Sequence, residues 1–506
     1  MENFFGKYFK ITLTGLVFFE LLSLLGYLQP LFGQTVFFTI ILITLILGLI
    51  KLEYGLYIIL AELFTASKGY LFYLEIDGFL ISLRIALFLV LISVWLAKVI
   101  VYYFKNRTFR PYFKIRQSGL LVFYFLFFCF LFWGIIIAFI KQNSFSNIFF
   151  DANGWLYFGL VFVFFDAIVS VKEVKNILQI FFASVLVLCL KTLILFFIFS
   201  HQMIEMLILY RWLSDSGLAE ITDMGTGFYR IFFQSQIYIL IALFILITSI
   251  YTSARIKGNL SFKKINKENF LFLIFNILFL SSIIVSLSRS FWIGLIGGSV
   301  GFVAIILFQE KEQVISLFRL AGYCLGVLIF SLILIFAIVE FPYPKPTGVS
   351  LAGLLSERAL SISGEAAVAS RWNLLSPLWQ EIKNNFFLGA GFGKTVTYQS
   401  QDPRQLSQSQ GGFYTTYAFE WGYLDIWLKL GLLGLISYLF LIYQIWQKGW
   451  QKLKNNFQDY PFKRFLILSF LLGIIVIAST SIFSPYLNHP LGIGYLILVS
   501  AIFEVL

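Results

Sequence analysis

Runs of about twenty apolar residues recur along almost the entire chain, and no water-soluble fold has room to hide them. They fall near 10–29, 34–51, 54–73, 81–103, 119–140, 155–171, 177–200, 229–251, 269–287, 291–308, 316–341, 422–446, 465–483 and 488–505. Each is long enough to cross a bilayer as a helix, which satisfies its backbone polar groups internally. The third and last runs fit the pattern least well. The sequence therefore predicts an all-α, polytopic membrane protein of about 14 transmembrane helices with one large extracytoplasmic loop domain. Composition agrees, with 60% of the 506 residues hydrophobic and 12% charged.

A net charge of +12 raises a nucleic-acid reading, but its distribution opposes it. The basic residues gather in short loops: Lys105, Arg107, Arg110, Lys114 and Arg116; Arg255, Lys257, Lys263, Lys264 and Lys267; Lys448, Lys452, Lys454, Lys463 and Arg464. Such loops stay in the cytoplasm. Placing them inside puts both termini in the cytoplasm and loops 141–154, 201–228, 288–290, 342–421 and 484–487 outside. Lys7 and Lys10 precede the first run, with no small-residue cleavage site after it, so that run reads as an uncleaved span. Cys129, Cys189 and Cys324 all lie within apolar runs, which argues against a disulfide framework or thiolate metal site. Two histidines, His201 and His489, are too few for a histidine metal site.

Four parts follow. Residues 1–227 form a scaffold of about seven spans plus an outer loop, and 228–341 a transmembrane core. Residues 342–421 form the large outer loop, and 422–506 the C-terminal spans. Within the first part, 201–228 mixes Glu205, Arg211, Asp215, Glu220 and Asp223 with apolar residues, as a helix lying at the interface would. The large loop opens with Pro342, Pro344 and Pro346. It continues with helix-like spacing of Trp372, Leu375, Trp379 and Ile382 over 366–385, where Pro377 is expected to bend the helix. Gly389-Ala390-Gly391-Phe392-Gly393 follows and reads as a tight turn back to the membrane; a Gln/Ser-rich tract, 399–411, reads as mobile. Loops of this length are usually functional.

Arg289 carries most of the functional argument, because it sits in the short break Ser286-Leu287-Ser288-Arg289-Ser290 between two apolar runs. A guanidinium there is costly unless paired or hydrated. Arg230, at the outer start of the run 229–251, and Arg371, on the large loop, lie on the same side. Planar guanidinium forks suit pyrophosphate and never deprotonate. Three of them around one external pocket suggest a phosphate-bearing ligand whose leaving charge they stabilise. The competing reading is that each snorkels to lipid headgroups.

Glu420, just before the run 422–446, fits a general base toward a hydroxyl or a carboxylate favouring a helix N-terminus. Asp425 and Lys429, four apart, read as a structural ion pair. His489 is a second candidate base or substrate contact, with a satisfied interfacial histidine as the plainer reading. Glu20, Glu62, Asp166 and Lys191 lie within spans and would mark a transport path if the protein were a carrier.

Several of these segments, in this order across 228–440, resemble the O-antigen ligase and polymerase family. They are Tyr229-Arg230-Ile231-Phe232, Ser288-Arg289-Ser290-Phe291-Trp292-Ile293-Gly294, Ser370-Arg371-Trp372, the glycine turn 389–393, and Tyr423-Leu424 with Lys429-Leu430-Gly431-Leu432-Leu433-Gly434. The resemblance implies metal-independent transfer of an undecaprenyl-diphosphate-linked glycan to a glycan or lipid-linked acceptor at the periplasmic face of the bacterial inner membrane. It implies no cofactor and no nucleic acid. The partners it implies are the donor, the acceptor, membrane lipids and, as a further class, a polysaccharide assembly complex. Arg230 and Arg289 would act in catalysis with Glu420, while Arg371 and His489 would join them in binding substrate. Glu420 stands where the family has a histidine, Trp421 where it has asparagine, and Phe386 where proline is common. Glu420 therefore either replaces that histidine or marks a different route or an inactive member. A flippase or transporter of lipid-linked oligosaccharide is the alternative function, although alternating access requires a site reachable from both faces.

Overall fold

The computed structural model describes residues 2–76, 79–203, 206–224, 228–256, 267–310, 314–344, 366–400, 412–455 and 461–506. The N-terminal part comprises α1 (Lys7–Leu28), α2 (Pro30–Ile50), α3 (Leu52–Thr65), the hairpin β1 (Tyr73–Ile76) and β2 (Phe79–Ser82), and α4 (Leu83–Asn106). Then come α5 (Leu121–Ile140), α6 (Phe145–Asn153), α7 (Val161–Ala167), α8 (Val171–Ser200) and α9 (Met206–Asp215). A second hairpin, β3 (Glu220–Asp223) with β4 (Tyr229–Phe232), leads into α10 (Ile237–Ile256), α11 (Lys267–Val285), α12 (Arg289–Glu310) and α13 (Val314–Val339). The loop region contributes α14 (Ala366–Asn384) and the hairpin β5 (Val396–Gln399) with β6 (Phe413–Thr416). The chain closes with α15 (Gly422–Asn455), α16 (Pro461–Thr480) and α17 (Pro490–Val505).

Eleven helical stretches among the described residues are long and apolar enough to cross a membrane, and Phe270–Val285 and Pro490–Val505 are shorter apolar helices. The protein is a helical, multi-pass membrane protein with three two-stranded antiparallel hairpins. Two boundaries differ from the sequence reading for visible reasons. In 54–73 the helix stops at Thr65, because Arg84 takes the carbonyls of Ala66 and Ser67 instead. In 229–251 the first four residues pair as a strand with Glu220–Asp223, and the helix begins only at Ile237.

The large loop builds a small core of its own from Leu374, Leu378, Ile382, Ala390, Val396, Tyr398, Phe419 and Leu428. The buried face of α14 is thus set by Leu374, Leu378 and Ile382, while Trp372 and Trp379 are exposed at 57% and 37%. Those tryptophans instead meet Trp421 and Trp427 edge-on. The helix runs through Pro377. Pro346, the loop lysines 257, 263 and 264, Glu205, and nearly all of the tract 399–411 lie outside the described residues.

Two packing features position the outer ends of these helices. Gly294, Gly297, Gly298 and Gly301 turn a small-residue stripe of α12 toward Val476, Ser479, Thr480 and Ile475 of α16, letting the two backbones approach closely. α15 is broken at Gly431, whose φ of 72 and ψ of 176 are non-helical. The amides of Ala390 and Gly391 donate to the carbonyls of Leu428 and Lys429 at 2.6 and 3.1 Å, and Leu432 N–H donates to Phe386 O at 2.8 Å. The glycine turn thereby satisfies the backbone groups that the break frees. At Gly391, with φ of 79, a Cβ would collide with the backbone of Ala138, and at Gly431 with the Phe387 carbonyl.

Candidate functional site

Strand alternation sets the place of Arg230. Tyr229 and Ile231 are buried, so Arg230 and Phe232 face the other way. Thr222 is its cross-strand partner, which makes Glu220 a diagonal neighbour within reach of a long side chain. Glu220 Oε2 lies 3.7 Å from Nη1, Nε donates to Ser286 O at 3.0 Å, and the guanidinium sits 4.9 Å over Phe232. The arginine is thereby tied directly to the turn that precedes Arg289.

That turn is held by its serines. After α11 ends at Val285, the Ser286 hydroxyl donates to Ile283 O at 2.6 Å and accepts from Ser288 N–H at 3.3 Å. The Ser288 and Ser290 hydroxyls lie 3.0 Å apart. Leu287 takes a left-handed φ of 46, which reverses the chain so that α12 starts at Arg289. A half-buried guanidinium in the first turn of a 22-residue helix adds to the partial positive charge of that terminus. Phe291 bridges the two segments, with its ring 5.6 Å from Phe232 and 6.0 Å from Tyr486. The Tyr486 hydroxyl donates to Gln234 O at 2.9 Å. Burial raises its phenol well above the ordinary value, Glu220 adds to the rise and Arg230 opposes it.

Arg371, on α14, forms an ion pair with Glu420. The pair is open to solvent, with the side chains 38% and 47% exposed. Next to it, Trp421 Nε1 donates to Arg371 O at 3.2 Å, and the Trp421 ring lies 5.0 Å from Phe483. The segment 481–489 therefore borders both clusters, Phe483 on the Arg371 side and Tyr486 on the Arg230 side. At its end, His489 caps α17: Nδ1 accepts from Leu491 N–H at 3.3 Å. Burial first, then Arg84 and Lys68, lowers the imidazole to about 3, so it is neutral and its proton resides on Nε2.

A third cluster lies deeper. Lys429 Nζ is 2.5 Å from both Asp425 Oδ1 and Asp151 Oδ1, and all three side chains are at most 8% exposed. Asp151 Oδ2 accepts from Gly393 N–H at 2.8 Å, Asn488 donates to Asp425 Oδ2, and Lys429 Nζ lies 5.6 Å over Phe419. One lysine thus joins α6, the glycine turn, the start of α15 and the segment 481–489. Burial, followed by Asp151, raises the nearby Tyr417 phenol.

Residues 274–439 match the family model described as O-antigen ligase. That stretch is similar to O-antigen ligases. No curated protein matches it. The O-antigen ligase match takes in the Ser288–Ser290 turn, Arg371, the glycine turn, Glu420, Lys429 and Gly431. Arg230, His489 and Asp151 lie outside it; Arg230 reaches it through Ser286 and Asp151 through Lys429.

The polar residues within other spans are engaged outside the O-antigen ligase match. Lys191 pairs with Glu20 at 2.6 Å, and Arg84 grips Glu62 through Nε and Nη2 at 3.1 and 3.0 Å. Asp166 accepts from Trp95 Nε1 at 2.8 Å and from the amides of Phe113 and Lys114. These are partnerships between scaffold elements. His201 places Nδ1 2.9 Å from Phe197 O and Nε2 3.1 Å from Phe341 O and donates its ring N–H to one of these carbonyls. Asp151 was missed by sequence reasoning: a lone carboxylate in an outer loop has no signature when its partner is 278 residues away.

Proposed function

We propose that the protein is a glycosyltransferase of the bacterial inner membrane that joins an undecaprenyl-diphosphate-linked glycan to a sugar acceptor at the periplasmic face. The reading rests on one observation above the others: Arg230, from outside the matched stretch, is hydrogen-bonded to Ser286 of the turn that presents Arg289. In this reading Arg230 and Arg289, from separate elements, serve one turn inside the matched stretch.

In this mechanism an acceptor hydroxyl oxygen attacks the sugar carbon bonded to phosphate, and the carbon–oxygen bond to the diphosphate breaks. Charge grows on the departing lipid diphosphate. Arg230, Arg289 and the first-turn amides of α12 stabilise it in a setting drier than bulk water. Arg371 joins them by exchanging partners. An exposed ion pair is worth only about 0–1 kcal/mol, so a diphosphate displaces Glu420 from Arg371 at little cost. The released carboxylate then takes the hydroxyl proton. Neutral His489, its Nδ1 occupied by the helix cap, offers Nε2–H to a sugar oxygen. The lysine cluster holds the glycine turn and the start of α15, and hence Glu420, in register.

Arg289→Ala tests this. The variant inserts and folds in the membrane but yields no polymer or ligated product; normal glycan output from it refutes the proposal. The lipid-linked glycans of a deletion strain then separate the two forms of the reaction. Single repeats on the carrier indicate a polymerase, and full-length chains stranded there indicate a ligase.

A further inference from the structure

A cavity of about 90 Å³ opens between α1, the start of α2, the first hairpin and α9, lined among others by Tyr27, Gln34, Tyr73, Glu75, Trp212 and Ser216. It lies outside the matched stretch and uses none of the arginines. We propose that it is a glycan-binding subsite that holds a sugar of the glycan chain undergoing transfer; this rests on the transferase reading above.

Three features of the lining select a sugar. Aromatic side chains from three separate elements supply the flat apolar surface against which the C–H face of a pyranose packs, with polar tips left for hydrogen bonds. Gln34 and Glu75 carry planar amide and carboxylate groups suited to adjacent hydroxyls. The lining contains no cation, and Asp215 lies beside it, accepting from the Tyr27 hydroxyl at 2.6 Å. Glu75 and Asp215 are both exposed, while Arg211 beside Tyr27 and Lys191 behind Trp212 lie outside the lining, so the cavity itself offers hydroxyl partners and no phosphate clamp. The volume suits part of one sugar ring or several waters.

The walls are preorganised. Trp212 Nε1 donates to the Ser23 hydroxyl at 3.2 Å, Ser23 donates to Leu71 O at 2.7 Å, and the Lys191 ammonium rests 4.8 Å over the Trp212 ring. Position supports the assignment as well. Ser216 is four residues before Glu220, a backbone reach of at most about 14 Å, and Glu220 lies 3.7 Å from Arg230 Nη1. A glycan whose diphosphate end is held at Arg230 and Arg289 therefore has a sugar a few units along within reach of the cavity.

The test uses the full chain in nanodiscs. Its probe is the delipidated oligosaccharide released by mild acid from the host strain's own lipid-linked glycan, followed by saturation-transfer NMR, with inorganic pyrophosphate, followed by phosphorus-NMR line broadening, as the control. The double variant Gln34→Ala/Glu75→Ala, and separately Gln34→Trp to fill the cavity, should weaken oligosaccharide binding tenfold or more and leave pyrophosphate binding unchanged. In cells the same variants should shorten or thin the glycan product without abolishing transfer. Unchanged oligosaccharide binding in a folded variant, or no binding to the unaltered protein at millimolar probe, overturns the subsite. Retained product in Arg289→Ala would overturn the transferase reading instead, while variant-sensitive oligosaccharide binding would still stand.

Discussion

Two ion clusters flank the start of α15, five residues apart at their nearest members, and they are built to opposite purposes. Glu420 and Arg371 meet in solvent, each more than a third exposed, across two segments of the large loop. Asp425, Lys429 and Asp151 meet in the interior, at most 8% exposed. The same chemistry thus gives an exchangeable contact in one place and a fixed joint in the other. Burial decides which: water competes for the first pair, whereas losing the lysine from the second leaves two buried carboxylates with no cation beside them.

The largest effect should come from the joint. Lys429→Met strands two buried carboxylates and is expected to cost about 3–5 kcal/mol, read as a large fall in the thermal midpoint of the purified protein. Adding Asp151→Asn should recover part of that loss, and a double-mutant cycle with no coupling would break the contrast drawn here. Arg371→Ala should do the reverse, lowering glycan transfer on the order of 100-fold while shifting stability by no more than about 1 kcal/mol. A strongly destabilised Arg371→Ala protein would show the exposed pair to be structural. Glu420→Gln sharpens the comparison further. As the base, its loss should slow transfer on the order of 100-fold; if it only supports a helix end, transfer persists and stability changes by about 0.3–1 kcal/mol.

The smallest effect concerns His489. Its folded value near 3, against 6.5 ordinarily, means the unfolded chain binds more protons between those values. Stability is therefore full above about pH 6.5 and declines as pH falls through that window. His489→Asn keeps a capping side chain without the titration. Thermal midpoints measured from pH 7 down to 4.5 should slope for the parent and flatten for the variant; parallel curves would remove His489 from the account.

How far the sequence alone could go depended on whether a signal was local. The apolar runs, the Ser286–Ser290 break and the spacing of Asp425 with Lys429 are all contained within a few residues, and the corresponding helices, turn and ion pair are present. Arg230 was placed on a helix because Tyr229–Phe232 adjoins an apolar run. Only its pairing with Glu220–Asp223, seven or more residues away, makes it a strand. The spacing of Trp372, Leu375, Trp379 and Ile382 gave the helix α14 and left its buried face open. Trp372 and Trp379 have the greater hydrophobicity, but their edges are taken up by Trp421 and Trp427, and the leucine face meets the loop's own core. The contacts of Asp151 and of Glu420 join segments hundreds or tens of residues apart, and one sequence carries no trace of such neighbours.

The break in α15 bears on how this protein can be re-engineered. Because residues 386–393 supply the amides and carbonyl that residues 428–432 lack, the loop and the helix it returns to are halves of one fitting. A chimera that imports a foreign outer loop, aiming to change the acceptor, has to import both halves together. Transplanting the loop alone would leave a severed helix with open valences at membrane depth.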